Sequence, residues 1–201
     1  MRSILGRQFL SFLVVIGFTQ FSHAENFKVD PAHSSVGFEI RHLFTPVKGQ
    51  FNDFSGTFSF DPKKVETSKV DFKIATKSVN TANVKRDEHL ASPDFFDVAK
   101  NPDISFKSKS VKSVAPKKME VTGDMTLHGV TKPVTFNIEF LGEGPGMDGK
   151  TVASFTANTT VKRKDFGMSW NKPWDAKDKM YETALGDDVK IDLAIEAQKA
   201  N

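Results

Sequence analysis

A mainly β fold, an antiparallel barrel of about eight strands with one short helical excursion, is what this sequence predicts. Three observations carry that expectation. Apolar residues recur with a period of two along most of the chain, turn signals separate the runs, and the alternation stops in one central segment.

The alternating runs come in order. Val36, Phe38 and Ile40 alternate with Gly37, Glu39 and Arg41; Gly56, Phe58 and Phe60 alternate with Thr57 and Ser59. Val70, Phe72 and Ile74 form the next run, then Ile104 and Phe106, Met119 and Val121, and Met125 and Leu127. Val134, Phe136, Ile138 and Phe140 follow, then Ala153, Phe155 and Ala157, and finally Val189, Ile191, Leu193 and Ile195. Successive strand side chains point to opposite faces, so each run has one apolar and one solvated face. Asp61-Pro62, Ala115-Pro116, His128-Gly129 and Gly186-Asp187 punctuate them, and the glycine-rich stretch 142–149 reads as another turn, not a phosphate-cradling loop. Closing so many strands into a barrel removes exposed edges.

Residues 80–98 break the pattern. Asn80-Thr81 are the expected N-caps of a helix over 82–91, and Ser92-Pro93 the start of a short helical turn over 93–97. Asn101-Pro102 ends the excursion.

The N-terminus carries a separate signal. Arg2 and Arg7 precede an apolar run from Phe9 to Phe18, and Ser22-His23-Ala24 places small residues at the −3 and −1 positions. This describes a secretory signal peptide cleaved after Ala24, leaving residues 25–201 as a single exported domain in the periplasm or beyond it. The run is too short to cross ~30 Å of hydrocarbon. Cleavage removes Arg2 and Arg7, and with them two of the three net positive charges, so the basic balance is no argument for nucleic acid. The chain has no cysteine, which excludes disulfides, thiolate metal sites and cysteine nucleophiles.

The stretch 86–97 gathers Arg86, Asp87, Glu88, His89, Asp94 and Asp97. Yet His33, His42, His89 and His128 show no i,i+4 pair, and Asp87 and His89 lie two apart on a helix, so no metal site is expected. His33, Ser34 and Ser35 lack a nucleophile elbow, and His33 is expected to cap a strand start or bond a backbone carbonyl. Lys162-Arg163-Lys164 beside Phe166 and Trp170 reads as a solvated strand end with Phe166 tucked inward, with attraction to a membrane surface as the other reading. The inward phenylalanines, Phe38, Phe58, Phe60, Phe72, Phe106, Phe136, Phe140 and Phe155, suit either a solid core or a cavity; filling is the commoner fate of such side chains.

Taken in order, the motifs resemble those of the YceI-like proteins, exported bacterial polyisoprenoid-binding proteins. The resemblance rests on Val29-Asp30-Pro31-Ala32-His33-Ser34 through Phe38, Lys48-Gly49-Gln50-Phe51 with Phe54-Ser55-Gly56, and Ser78-Val79-Asn80-Thr81. It continues through Arg86-Asp87, His89-Leu90 and Phe95-Phe96-Asp97, then Asn101-Pro102 to Phe106 and Val121 to Thr131. Arg163-Lys164-Asp165-Phe166-Gly167 and Leu185-Gly186-Asp187-Asp188-Val189 complete it. Lys162 and Lys164 around Arg163, and Asn101 before Pro102, depart from the usual family pattern and bear on head-group preference, not on fold.

The resemblance implies an eight-stranded antiparallel lipocalin-like β-barrel with a short helical segment around residues 82–97, and a lipid chain in its apolar tunnel. On that reading the inward set, Phe38, Ile40, Phe58, Phe60, Phe72 and Ile74, then Phe106, Met125, Phe136, Ile138, Phe155 and Met168, is tunnel wall. Arg86, His89 and Arg163 would meet the head group, while Asp87, Leu90, Phe95, Phe96 and Asp165 would latch the helical segment to the barrel. Trp170, Trp174 and Tyr181 would either cover one end or simply anchor their own loop. The expected role is non-catalytic carriage or storage of an isoprenoid or isoprenoid-quinone-type lipid, with no cofactor and no nucleic acid. Sequestration of exogenous lipophilic compounds, and an enzyme using Asp87, His89 or Asp165 as acid–base groups, are the alternatives. Transient membrane contact is compatible with this role. Many family members pair as dimers, though no surface patch here argues for it.

Overall fold

The computed structural model describes residues 24–171 and 184–200. The expected leader up to residue 23, and Trp174 and Tyr181, lie outside the described residues. In chain order the elements are β1 (Glu25–Val29), β2 (Ser35–His42), β3 (Thr45–Phe51), β4 (Phe54–Phe60), β5 (Lys69–Ala75) and β6 (Val79–Asn80). The helix α1 (Val84–Ala91) follows, then β7 (Asp103–Ala115), β8 (Lys118–Leu127), β9 (Val130–Pro145), β10 (Thr151–Lys162) and β11 (Leu185–Lys199).

The barrel closes through eight strands, in the order β1-β4-β5-β7-β8-β9-β10-β11, and β11 returns to β1. β11 is long enough to serve two partners: Ala197–Lys199 pair with β1, and Leu185–Ala194 with β2. β1 and β2 are thus one strand broken by a 3₁₀ turn at Pro31–His33. β3 and β4 share the next position in the same way, β3 beside β2 and β4 beside β1. At the helical end the wall therefore runs β11-β2-β3-β6 and stops, since β6 pairs only with β3. The helix and the turn after it cover that edge.

Local chemistry explains the joints. The β8–β9 hairpin uses His128 and Gly129, both at positive φ (52° and 74°), the type I′ geometry whose twist matches that of paired strands. At the β1/β2 break, the Ser34 hydroxyl donates to the carbonyl of Glu196 (3.1 Å) and accepts its N–H (2.9 Å), standing in for the missing ladder bonds. Asp30 caps the turn through Ala32 N–H (3.0 Å).

Three boundaries differ from expectation. The helix is shorter than 82–91 because Asn83 is its N-cap, accepting Arg86 N–H at 3.1 Å, while Ala82 is held at φ 58° outside the helix. Asn80 instead accepts Ala82 N–H (2.9 Å). Residues 93–97 form hydrogen-bonded turns, not a helix, because the Asp97 and Val98 amides reach back to Ser92 and Ala91. The stretch 142–149 is only partly a turn: β9 continues through Pro145, with a bulge where Ser154 and Phe155 pair with Gly142 and Phe140.

The interior has two parts. At the far end Phe27, Phe60, Val111, Met119, Phe140 and Phe155 pack with Ala153 and Ala197 into a solid plug, with Phe60, Phe140 and Phe155 in mutual ring contact at 4.9–5.2 Å. Toward the helical end the apolar residues surround a cavity. Core and cavity are both present and adjoin, with Phe60, Met119 and Phe155 belonging to both.

Candidate functional site

The cavity measures about 440 Å³ and its wall is predominantly apolar. β2 contributes Phe38 and Ile40, β4 Phe58 and Phe60, and β5 Phe72 and Ile74. Phe106 of β7, Met125 of β8, Phe136 and Ile138 of β9 and Phe155 of β10 continue the wall, and Met168 borders it beyond β10. Phe140 does not; it belongs to the plug. Val47 and Phe51 of β3, Ile104 of β7 and Leu193 of β11 also border the space, although the apolar alternation of β3 is too brief to mark it.

The large rings leave room because of their partners across the strands. A Cβ placed on Gly49 would stand 2.3 Å from Phe38 Cζ, one on Gly56 2.5 Å from Phe72 Cδ2, and one on Gly123 2.7 Å from Phe106 Cζ. Phe38 is paired with Gly49 and Phe72 with Gly56, so each ring lies back over a bare backbone. Phenylalanines that would fill a barrel of ordinary residues are thereby laid along its wall.

The helical end holds the ionisable groups. Arg86 Nε donates to Thr81 Oγ1 (2.7 Å) and Arg86 Nη2 to the Thr81 carbonyl (2.8 Å). Asp87 Oδ1 accepts both the N–H and the hydroxyl of Thr81, at 2.9 and 2.5 Å. Thr81 directly follows β6, so these four bonds tie α1 to the edge it covers. His89 has a different role: Nε2 bonds Asp94 Oδ2 (2.9 Å), and its ring sits edge-on to Phe95 (5.0 Å) and Trp170 (4.8 Å). Leu90, Phe95 and Phe96 border the cavity from this segment, with Phe96 edge-on to Phe51 at 5.6 Å.

Arg163 overturns the reading of Lys162-Arg163-Lys164 as one solvated cluster. Only 2 % of it is exposed. Nε donates to Gly186 O (2.8 Å), and Nη1 to the carbonyls of Met168 (2.6 Å) and Trp170 (2.8 Å). Among the described residues Nη2 is buried without a hydrogen-bond partner. Burial pulls the guanidinium pKa down, opposed by the field of Asp187, yet a guanidinium stays charged. Phe166 is buried as expected, while Lys162 points outward to Asp188 (2.8 Å). Asp165 does not act as a latch: it is exposed on the 3₁₀ turn Arg163–Phe166, and Asp187 ties that corner by accepting Lys164 N–H (3.0 Å).

His33 stands at the entry to β2, and its Nδ1 faces carboxylates instead of a carbonyl: Asp30 Oδ2 at 2.8 Å and Glu196 Oε1 at 3.7 Å. Asp30, His33 and Glu196 form a group of three ligand-type side chains that spacing along the chain could not reveal. They sit at the β1/β2 break, away from the cavity wall, and their bonds serve that joint. Ser34 is occupied by the Glu196 backbone.

A closed antiparallel barrel around an apolar cavity, packed against a phenylalanine-rich core at one end and bordered by ionisable groups at the other, defines a lipocalin-like architecture. A model of the YceI-like domain matches residues 27–197, and the chain belongs to that family. It is 46% identical over 148 residues to a UPF0312 protein of Pseudomonas putida, covering 72% of this chain and 77% of that protein. Among solved structures, the YceI protein of Campylobacter jejuni superposes with a TM-score of 0.68 at 36% identity, covering 86% of this chain and 96% of the other. A polyisoprenoid-binding domain from Saccharophagus degradans shares the fold with a TM-score of 0.60 at 15% identity, covering 89% and 100%.

Proposed function

We propose that this protein is an exported, non-catalytic carrier or reservoir for a long-chain isoprenoid-type lipid, held with its tail in the barrel cavity and its head at the Arg86, His89 and Arg163 end. The observation that carries the reading is the cavity itself: about 440 Å³ of predominantly apolar space inside a closed barrel. Apolar surface withdrawn from water contributes about 25 cal/mol per Å², so a polyprenyl tail gains affinity from every isoprene unit enclosed. Walls of Phe, Ile and Met suit a chain without polar handles, and Met125 and Met168 adapt to its shape. The polyisoprenoid-binding description of the Saccharophagus degradans domain supports the same class of ligand.

The non-catalytic part rests on how the polar groups are engaged. Asp87 is held by Thr81 and His89 by Asp94, and Asp165 lies outside the cavity wall. Titration of the purified protein with a fluorescent polyprenyl probe is the test. Saturable binding at about one probe per chain, abolished in a folded Phe136→Arg protein, is expected; no saturable binding contradicts the proposal.

A further inference from the structure

The ionisable groups bordering the cavity are all of one sign or neutral. Among the described residues they are His42, Arg86, His89 and Arg163, and no aspartate or glutamate borders the space. All four lie at the helical end. His42 closes β2 opposite Leu185, the neighbour of the Gly186 carbonyl that Arg163 holds. The carboxylates nearby stay off the cavity wall: Asp87 bonds Thr81, Asp94 bonds His89, and Asp187 accepts the Lys164 amide while its field reaches Arg163.

Arg163 sharpens the asymmetry. Among the described residues its three hydrogen bonds go to neutral carbonyls, and its Nη2 is buried with no partner. Asp187 acts on this cation through its field alone, without a hydrogen bond to it, and a buried cation whose hydrogen bonds all go to neutral dipoles is stabilised further by an entering counter-charge. Hydrogen bonds between ionised partners are about twice as strong as neutral ones, and a guanidinium suits the oxygens of carboxylate or phosphate.

We propose that the cavity is selective for an anionic lipid: a long apolar chain ending in a carboxylate or phosphate, with the acid at the Arg86–Arg163 end and the chain running toward Phe155. This rests on the lipid-binding reading above and narrows it from any isoprenoid to an acidic one. A neutral alcohol or quinone head adds no charge at Arg163 beyond the field of Asp187.

The test keeps one chain and changes the head. Geranylgeraniol, geranylgeranoic acid and geranylgeranyl phosphate are competed against a fluorescent probe on the purified, delipidated protein. At least one acid is expected to bind about tenfold or more tighter than the alcohol; which acid leads tells carboxylate from phosphate recognition. Arg163→Met is expected to collapse that preference. Because Arg163 also holds three carbonyls, Arg86→Gln on the exposed helix serves as a second variant, expected to cut the preference several-fold. Three probes binding with equal affinity would overturn the acid selectivity while leaving lipid binding intact. No binding by any of them would overturn both.

Discussion

The buried guanidinium of Arg163 donates to the carbonyl of Trp170 at 2.8 Å, and the Trp170 ring in turn packs on His89 and Phe95 at 4.8 and 5.2 Å. One cation therefore positions the Trp170 ring, through which α1 meets the turn that follows β10. Replacing it strands the carbonyls of Met168, Trp170 and Gly186. Each buried acceptor left unpaired costs about 1–3 kcal/mol, and lysine cannot reproduce the fork. Arg163→Lys is expected to lose about 3 kcal/mol or more by urea denaturation, and an unchanged midpoint would show that Arg163 does not organise this end.

Thr81 is the hinge of the helical cover. Thr81→Val keeps the shape and removes the hydroxyl shared by Arg86 Nε and Asp87 Oδ1. A loss of about 1–2 kcal/mol is expected. Amide exchange should accelerate over residues 84–91 and not in the far-end plug; uniform acceleration would mean that α1 does not open separately.

Gly49 sets the room available. The Cβ of Gly49→Ala would meet Phe38 Cζ at 2.3 Å and Thr81 Cγ2 at 2.9 Å, so the ring must leave the wall for the lumen. Overpacking of this kind costs about 1–3 kcal/mol. Affinity for a geranylgeranyl probe is expected to fall about tenfold or more, against little change for a much shorter prenyl chain. Equal losses for both chain lengths would contradict displacement of the ring into the tail's path.

The β1/β2 joint predicts a pH effect. The hydrogen bond to Asp30, then the charges of Asp30 and Glu196, raise the His33 pKa above its ordinary value of 6.5. The same hydrogen bond, then that from Ala32 N–H, lowers Asp30 below its ordinary 3.8. A raised histidine stabilises the fold fully below the unfolded value near 6.5 and ceases to as pH rises through its folded pKa; a depressed aspartate stabilises above 3.8 and ceases to as pH falls through its folded pKa. Melting temperature should therefore decline as pH rises past 6.5 in the native protein and stay flatter in His33→Ala. Identical pH profiles would show that His33 titrates without linkage to folding.

Much of the wall was legible in the sequence because strand side chains alternate with a period of two. Phe38 with Ile40 and Phe136 with Ile138 fell on one face by spacing alone, and that face is the one bordering the cavity. Whether such rings fill a barrel or line it was not legible. That depends on register, which sets Gly49 against Phe38 and Gly56 against Phe72. Phe27, in a strand of five residues, showed too little alternation to count, yet it anchors the plug. Arg163 looked solvated between two lysines; its burial comes from carbonyls on residues 168, 170 and 186, which only the folded chain brings round it. The meeting of His33 with Glu196 was hidden for the same reason.

The most direct measurement is native mass spectrometry of the protein purified without denaturant from the organism that encodes it. The expected spectrum shows each chain carrying one non-covalent lipid of isoprenoid mass, absent when Phe136→Arg places a charge in the apolar wall. A spectrum of bare chain, from protein that also fails to take up a geranylgeranyl probe, would contradict the account.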